Sequence, residues 1–498
     1  MIKDQSPLSA ISASERLFGL HPMVAALLLQ TALWSIGPAF LFGNLHTDSL
    51  EAAYWGREWA LAYSKHPPVT SWLMDLALRT GLPSIFALML LAQASVGVAA
   101  LFIWKTVRLF ASRETAAFAV LLFAASPAST IYAIQINHNL MLAPFWAATL
   151  YFGLIYLEDR RWRDAIILGI VAGVGMLTKY ELSFVLVTLL IIGCVVPRYR
   201  SSFHHPASYV SALIFLAILL PHIWWLHSHG WGSVSRALGA QKIKDLSLLN
   251  TSAVNLIVGS FTLFVVPIVL IFSTMKRRAV DEANQVFENR LIAICICLAP
   301  LAVLTLGSVA TMQVIKPLWV LPLSGSVAAG LAILFPAGAW GQGLSVTASA
   351  RLSMIASLLI FAGLTIYLLI ACFIGRPLTA YSIDTRQLAR DTLTFWRQSN
   401  TEPLRCIVIS ERKIGPSGLL WLPNRPLIIE SVLGKLPVEC SASGAIAVYT
   451  TDTAESMNQF PNLCSSRQSI SLRTTPAIGR TTLKVELALI TAAGATCP

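Results

Sequence analysis

The sequence predicts an all-α polytopic membrane domain over residues 1–374, followed by a small α/β extracytoplasmic domain over 375–498. Three observations lead there. Of the 498 residues, 56% are hydrophobic and only 12% charged, about half the roughly 25% charge of an ordinary soluble chain. The apolar residues come in long blocks rather than at helical or strand periods, and many blocks approach the ~20 residues that cross a ~30 Å hydrocarbon layer. After residue 374 the blocks stop and short β-prone runs replace them.

In lipid a segment must satisfy its own backbone hydrogen bonds, so each block is expected to be a helix. About eleven spans are expected, near 18–42, 82–104, 115–133, 139–157, 164–178, 182–196, 208–226, 251–274, 291–310, 316–336 and 352–374. The first is too long, and too poor in cleavage-site features, for a signal peptide, and it reads as a retained span. Only Thr178-Lys179-Tyr180-Glu181 separates the fifth and sixth, which leaves a tight re-entrant pair open.

The net charge of +12 does not point to nucleic acid, because most of it lies in short loops between apolar blocks. That is the distribution of topology signals. With the N-terminus inside, the inner segments hold 15 Lys and Arg and the outer loops 8, the other 13 of the 36 lying beyond residue 374. The positive-inside bias therefore predicts a cytoplasmic N-terminus, and eleven crossings leave the tail outside. For a bacterium this means a multi-pass inner-membrane protein with a periplasmic C-terminal domain.

In that tail, Cys406-Ile407-Val408-Ile409, Leu427-Ile428-Ile429 and Ala445-Ile446-Ala447-Val448-Tyr449 read as strands between Pro and Gly turns. Residues 381–398 read as one polar helix. Cys194, Cys295, Cys297 and Cys372 lie in or beside spans, whereas Cys406, Cys440, Cys464 and Cys497 lie in the tail. Four cysteines in an oxidising compartment suggest up to two disulfides, with the pairing open.

Chemistry concentrates in the first outside loop, residues 43–81. It reads His46-Thr47-Asp48-Ser49-Leu50-Glu51-Ala52-Ala53-Tyr54-Trp55-Gly56-Arg57-Glu58-Trp59, then Tyr63-Ser64-Lys65-His66-Pro67-Pro68 and Trp72. A helix over 48–62 places Asp48, Glu51, Trp55 and Glu58 on one face and Arg57 roughly opposite. Such acids at the membrane surface suit an acceptor hydroxyl and removal of its proton, or they simply face water. Two prolines stiffen the backbone after Lys65, and a lysine fixed there suits a lipid phosphate. The alternative is a snorkelling anchor. His66, His138, His222, His227 and His229 gather on the same side; His66, His227 and His229 are weak metal candidates, and ordinary polar histidines are the plainer reading.

The pattern Asp48-x-x-Glu51-Ala52-x-Tyr54-Trp55-Gly56-Arg57-Glu58-Trp59, with Lys65-His66-Pro67-Pro68 and Trp72, resembles the first outside loop of the multi-span GT-C glycosyltransferases. It is most similar to bacterial glycosyltransferase family 39, relatives of protein O-mannosyltransferases, of the aminoarabinose transferase acting on lipid A, and of rhizobial galacturonosyltransferases. Asn137-His138-Asn139-Leu140 with Pro144 and Trp146 resembles the second outside loop, and Gly169 to Tyr180 the Gly-rich span. The resemblance covers residues 40–200 well and the rest in layout.

It implies inverting transfer of a sugar from a polyprenyl-phosphate donor to an acceptor hydroxyl, with no required cofactor and an optional divalent metal. The acceptor it favours is an envelope glycolipid such as lipid A or lipopolysaccharide core; a secreted protein is the alternative. Asp48 is the implied base, with Glu51 as rival. Lys65 is the first phosphate ligand, followed by Arg57, Arg236 and Lys242. Tyr54, His66, Asn137, His138, Asn139, Lys179 and Tyr180 are implied substrate contacts. Leu50 stands where many members carry the Asp of an Asp-Glu pair, and Asn139 where some carry an acid. A lipid-linked glycan transporter would usually show repeated halves and broken helices in matching positions, and neither is found; a scaffold gives no reason for the loop.

Overall fold

The computed structural model describes residues 20–232, 234–235, 245–274, 285–336, 344–374, 379–410, 418–422, 424–430 and 436–450, then 454, 457, 460, 462–473, 482–492 and 495–497. The helices of the apolar part, in chain order, are α1 (Pro22–Leu41), α2 (Thr47–Gly56), α3 (Val69–Leu78), α4 (Ser84–Arg108), α5 (Arg113–Ala124), α6 (His138–Asp159) and α7 (Trp162–Met176). They continue with α8 (Leu182–Val195), α9 (Pro206–His229), α10 (Leu246–Thr274), α11 (Gln285–Thr311), α12 (Ser324–Leu334) and α13 (Val346–Phe373). Each expected span contains a helix, although the third, expected over 115–133, is α-helical only to Ala124. Among the described residues eight helices are long and apolar enough to cross a membrane, or nine if α8 and the 3-10 turn Pro197–His204, bent by 115°, count as one. The difference from eleven lies in α5, α7 and α8, with 12, 15 and 14 residues, each short of a full crossing. The chain is a multi-pass membrane protein.

By packing, the chain divides into two compact units. The first takes residues 1–34, 60–70 and 92–361, the second 35–59, 71–91 and 362–498. In the first unit small residues set the helix contacts. A Cβ on Gly169 of α7 would meet the Ser211 carbonyl of α9, and one on Gly173 would lie 3.0 Å from the Ile218 side chain. This is the small-xxx-small approach of membrane helices, where close packing replaces the hydrophobic effect. Two buried indoles are satisfied by hydroxyls: Trp34 Nε1 donates to Ser357 at 2.9 Å, and Trp146 Nε1 to Ser326 at 2.8 Å.

In the second unit the tail folds as an α/β domain. The polar helix is α15 (Thr385–Ser399), after the short α14 (Thr379–Ser382), and it buries Leu388, Ala389, Thr392, Phe395 and Trp396. The expected strands form as β1 (Cys406–Ile409), β2 (Leu427–Glu430) and β3 (Ala445–Tyr449), with β1 parallel to both others. Two further strands, β4 (Leu463–Arg473) and β5 (Thr482–Ile490), add an antiparallel edge, giving the order β2-β1-β3-β5-β4. Disulfides join Cys406 to Cys440 and Cys464 to Cys497. They close loops over sequence separations of 34 and 33 residues, each worth roughly 2–4 kcal/mol to a small domain.

The start of loop 43–81 is fastened to this domain: Gly43 N–H donates to the Tyr381 carbonyl at 2.8 Å, and Thr385 Oγ1 donates to the Gly43 carbonyl at 2.7 Å. α2 then ends at Gly56, where a Cβ would collide with the Ser71 carbonyl and approach Asp75 to 3.0 Å. Gly56→Ala is therefore expected to destabilise by about 1–3 kcal/mol, the usual overpacking cost. A lowered melting temperature in detergent checks it; an unchanged one would mean that α2 and α3 move apart freely.

Candidate active site

In the first unit, residues 61–68 carry Lys65 and His66 against the start of α6. Tyr63 N–H donates to the His66 carbonyl at 3.1 Å, and Val69 N–H to the Leu177 carbonyl at 3.0 Å, which fixes the proline segment between them. The His66 ring stacks on His138 at 3.9 Å between centroids. His138 is the first residue of α6, and Asn137 is its N-cap, accepting from the N–H groups of Asn139 and Leu140 at 2.9 and 3.2 Å. That capping bond commits the Asn137 side-chain oxygen to the helix.

Lys179 is buried in the turn between α7 and α8. Its Nζ donates to Asn139 Oδ1 at 2.6 Å, pairs with Glu181, and lies 6.0 Å from the centre of the Trp319 ring. Beside it the Tyr180 hydroxyl meets His222 Nε2 at 2.9 Å, while His222 Nδ1 faces the Leu61 carbonyl at 2.7 Å. A carbonyl only accepts, so Nδ1 carries the hydrogen, and in the neutral ring Nε2 accepts from Tyr180. Loop 61–68, α6, the α7–α8 turn and α9 are thus tied into one polar cluster.

Burial pushes His66 down to about 3, helped by the charges of Lys179, Lys65 and Lys316 in that order. Three lysines therefore surround an imidazole that stays uncharged at working pH. A drop in ionisation on folding means that the unfolded chain binds the extra proton between about pH 6.5 and 3, so stability from this group is present above 6.5 and lost as pH falls. The slope can reach about 1.4 kcal/mol per pH unit. Thermal denaturation across pH 7 to 4 is expected to show that loss, reduced in His66→Gln; equal acid sensitivity in the variant would exclude His66 as its source.

In the second unit, His46 is the N-cap of α2, its Nδ1 accepting from Asp48 N–H at 3.3 Å. Asp48 sits in the first helical turn with its side chain 50% exposed, where the helix dipole favours a carboxylate. Glu51, Tyr54 and Trp55 are buried. The helix ends at Gly56, earlier than the expected 62, so the anticipated single acidic face does not form: Glu51 and Trp55 turn inward while Glu58 lies exposed beyond the last turn. Arg57 is the C-cap and half-buried. Trp59 follows with a positive φ of 49°.

A fully buried carboxylate that the sequence did not flag holds this end. Asp75 on α3 receives Trp59 Nε1 at 2.7 Å and Arg79 Nε at 2.5 Å on Oδ2, and its Oδ1 forms an ion pair with Arg425 Nη2 at 2.6 Å. Burial alone would raise its pKa, but the bonds from Arg79, Trp59 and Arg425 hold it below the ordinary value.

Of the other expected residues, Arg236 and Lys242 lie outside the described residues. His229 Nδ1 faces the Trp225 carbonyl at 3.0 Å and its ring stacks on Trp225, and His227 is exposed. Among the described residues no three His, Cys, Asp or Glu side chains group as a metal site. Lys316, before the 3-10 turn Pro317–Leu323, joins the cluster although sequence reasoning counted it only as a loop charge.

The fold is that of a solved membrane protein. ArnT from Cupriavidus metallidurans superposes with a TM-score of 0.59 when bound to undecaprenyl phosphate and 0.60 in the apo state, at 14% identity. The match covers 96% and 95% of this chain and 98% and 99% of those chains. This chain has a GT-C fold. Residues 65–225 of the GT-C fold also match the family model described as dolichyl-phosphate-mannose-protein mannosyltransferase. Among curated relatives, a lipid A galacturonosyltransferase of Rhizobium johnstonii, RgtD, is 24% identical over 189 residues, 37% of this chain and 39% of the relative. RgtB of the same organism, a lipopolysaccharide core galacturonosyltransferase, is 25% identical over 252 residues, 49% of this chain and 51% of the relative. The chain thus spans about half or less of these relatives' lengths.

Proposed function

We propose that this chain is an inverting glycosyltransferase that moves a sugar from a polyprenyl-phosphate donor to a hydroxyl of an envelope glycolipid, such as lipid A or lipopolysaccharide core. The observation that carries this reading is the lysine cluster around the uncharged His66–His138 stack. The buried Lys179 and the half-buried Lys65 supply positive charge without an acidic imidazole, where electrostatic stabilisation is strong, and the exposed Lys316 adds to their field. A departing phosphate needs such a setting. The solved ArnT bound to undecaprenyl phosphate and the rhizobial lipid A and core transferases support the same donor and acceptor classes.

The step is a direct displacement. The acceptor oxygen attacks the anomeric carbon, a general base takes its proton, and the bond from that carbon to the phosphate oxygen breaks. The electron pair leaves with the polyprenyl phosphate, whose charge Lys65 and Lys179 stabilise, and the anomeric centre inverts. A general base of this kind contributes typically about 10²–10⁴-fold. The reaction is assigned to the periplasmic face of the inner membrane. The bias of 15 inner against 8 outer basic residues supports that side, as do disulfides in the tail, which belong to oxidising compartments.

Mass spectrometry of envelope glycolipids from cells with and without the gene tests this. A glycolipid lighter by one sugar residue in the deletion strain is expected. An unchanged glycolipid profile, with a secreted protein losing sugar instead, would move the acceptor to protein.

A further inference from the structure

Arg57, Trp59 and Trp72 remain outside the displacement step, and their geometry is unusual for residues that merely face lipid headgroups. Trp59 adopts a left-handed backbone with φ 49°, which costs a non-glycine residue roughly 1–2 kcal/mol. Its indole is nonetheless locked: Nε1 donates to the buried Asp75 at 2.7 Å, and the ring stacks on Trp72 at 5.6 Å with 12° between planes. Despite this anchoring Trp59 stays 43% exposed. Two residues earlier, Arg57 Nη1 is a buried guanidinium nitrogen with no hydrogen-bond partner among the described residues. A buried donor left unsatisfied costs about 1–3 kcal/mol, and more when charged. Burial also pulls the Arg57 guanidinium below its ordinary value.

An indole that stays exposed while stacked on the half-buried Trp72, two residues from a guanidinium nitrogen without a hydrogen-bond partner, is a complementary surface for a sugar. The apolar C–H face of a pyranose ring lies against an indole, and an oxygen on the ring accepts from the arginine. We infer that Trp59, Trp72 and Arg57 form a binding subsite for an acidic saccharide, the pyranose stacking on the tryptophans and a phosphate or carboxylate oxygen accepting from Arg57 Nη1. This rests on the transferase reading, within which it is an acceptor subsite. Glu58 and Glu439 lie within electrostatic reach of Arg57, as do Asp75 and Arg425. The local charges therefore nearly cancel, and recognition comes from the directed bond of Arg57 rather than from a diffuse positive field. An indole pair serving only as an interfacial anchor gives no reason for the bond to Asp75 or for the guanidinium nitrogen left without a hydrogen bond.

The test uses the full-length protein in nanodiscs and a water-soluble phosphorylated glucosamine disaccharide, with its unphosphorylated counterpart as control, titrated by calorimetry. Wild type is expected to bind the phosphorylated form at least ~10-fold more tightly. Trp59→Ala should weaken both forms about 10-fold, and Arg57→Gln should weaken only the phosphorylated one. Trp59→Phe, which keeps an aromatic ring without the Asp75 bond, guards against loss of fold and should retain most of the affinity. Affinities unchanged in Trp59→Ala and Arg57→Gln would overturn the subsite, as would equal binding of the two saccharides by wild type. Because binding is read without turnover, the outcomes separate. Trp59-dependent binding in a protein that transfers no sugar refutes the function and keeps the subsite, whereas transfer with an unaltered acceptor KM in Trp59→Ala does the reverse.

Discussion

Asp48→Asn is expected to reduce sugar transfer by about 10²–10⁴-fold, the usual contribution of a general base, with donor affinity and melting temperature nearly unchanged. The reasoning comes from where α2 puts its acids. Asp48 is half-exposed in the first turn, with its backbone N–H already used by the His46 cap, so the side chain is available to a substrate hydroxyl. Glu51 is buried within the second unit. Glu51→Gln is accordingly expected to act first on stability, with a smaller kinetic loss. Single-turnover transfer in reconstituted vesicles reads both. Near wild-type turnover in Asp48→Asn together with an inactive, well-folded Glu51→Gln would pass the role to Glu51.

Lys179→Met is expected to be the most damaging change in donor binding. It removes the cation and leaves Glu181 and Asn139 Oδ1 facing the site without it. Truncating one member of a buried charge pair costs about 2–5 kcal/mol, which corresponds to roughly 30- to 5,000-fold in donor affinity. Lys65→Ala should cost less, about 10–100-fold, because Lys65 is half-buried whereas Lys179 is buried. Lys316 is exposed, and exposed charges contribute about 1 kcal/mol or less, so Lys316→Ala should shift affinity only a few-fold. The order Lys179, Lys65, Lys316 is the informative outcome. An equal effect of all three would indicate a diffuse field rather than a buried site.

Much of this was legible in the sequence, for reasons that also explain what was not. The spans could be read because lipid demands long uninterrupted apolar helices. α3 was hidden in the loop: Val69–Leu78 is too short for a span, and its one acid, Asp75, reads as an ordinary surface residue until Trp59, Arg79 and Arg425 are seen around it. β1 and β3 were visible as continuous apolar runs because both faces are covered. β4, reading Leu-Cys-Ser-Ser-Arg-Gln-Ser-Ile-Ser-Leu-Arg, buries Ile470 and Leu472 while polar neighbours alternate between them, and such a half-solvated strand was missed.

In the candidate site, Lys65, His66, His138, Asn139, Lys179 and Tyr180 were singled out through motif resemblance, and the first unit brings them together. Their mutual bonds were not legible, since Asn139 and Lys179 lie 40 residues apart. The cap at Asn137 was readable in principle: an Asn immediately before an apolar helix is an ordinary N-cap. Lys316 carried no local signal beyond a proline after it. A straight helix to residue 62 sets Arg57 opposite the acids, but α2 ends at Gly56, where the Ser71 carbonyl lies close, so that projection does not apply to Arg57.

Phosphorus NMR of polyprenyl phosphate in nanodiscs carrying the full chain tests whether Lys65 and Lys179 hold the donor phosphate. Wild type is expected to give a shifted, broadened phosphate resonance that returns to its free position with the Lys65→Ala, Lys179→Met double variant, while the variant keeps its fold by circular dichroism. A resonance that wild type leaves unmoved, or that the folded double variant moves equally, would contradict that role of the two lysines.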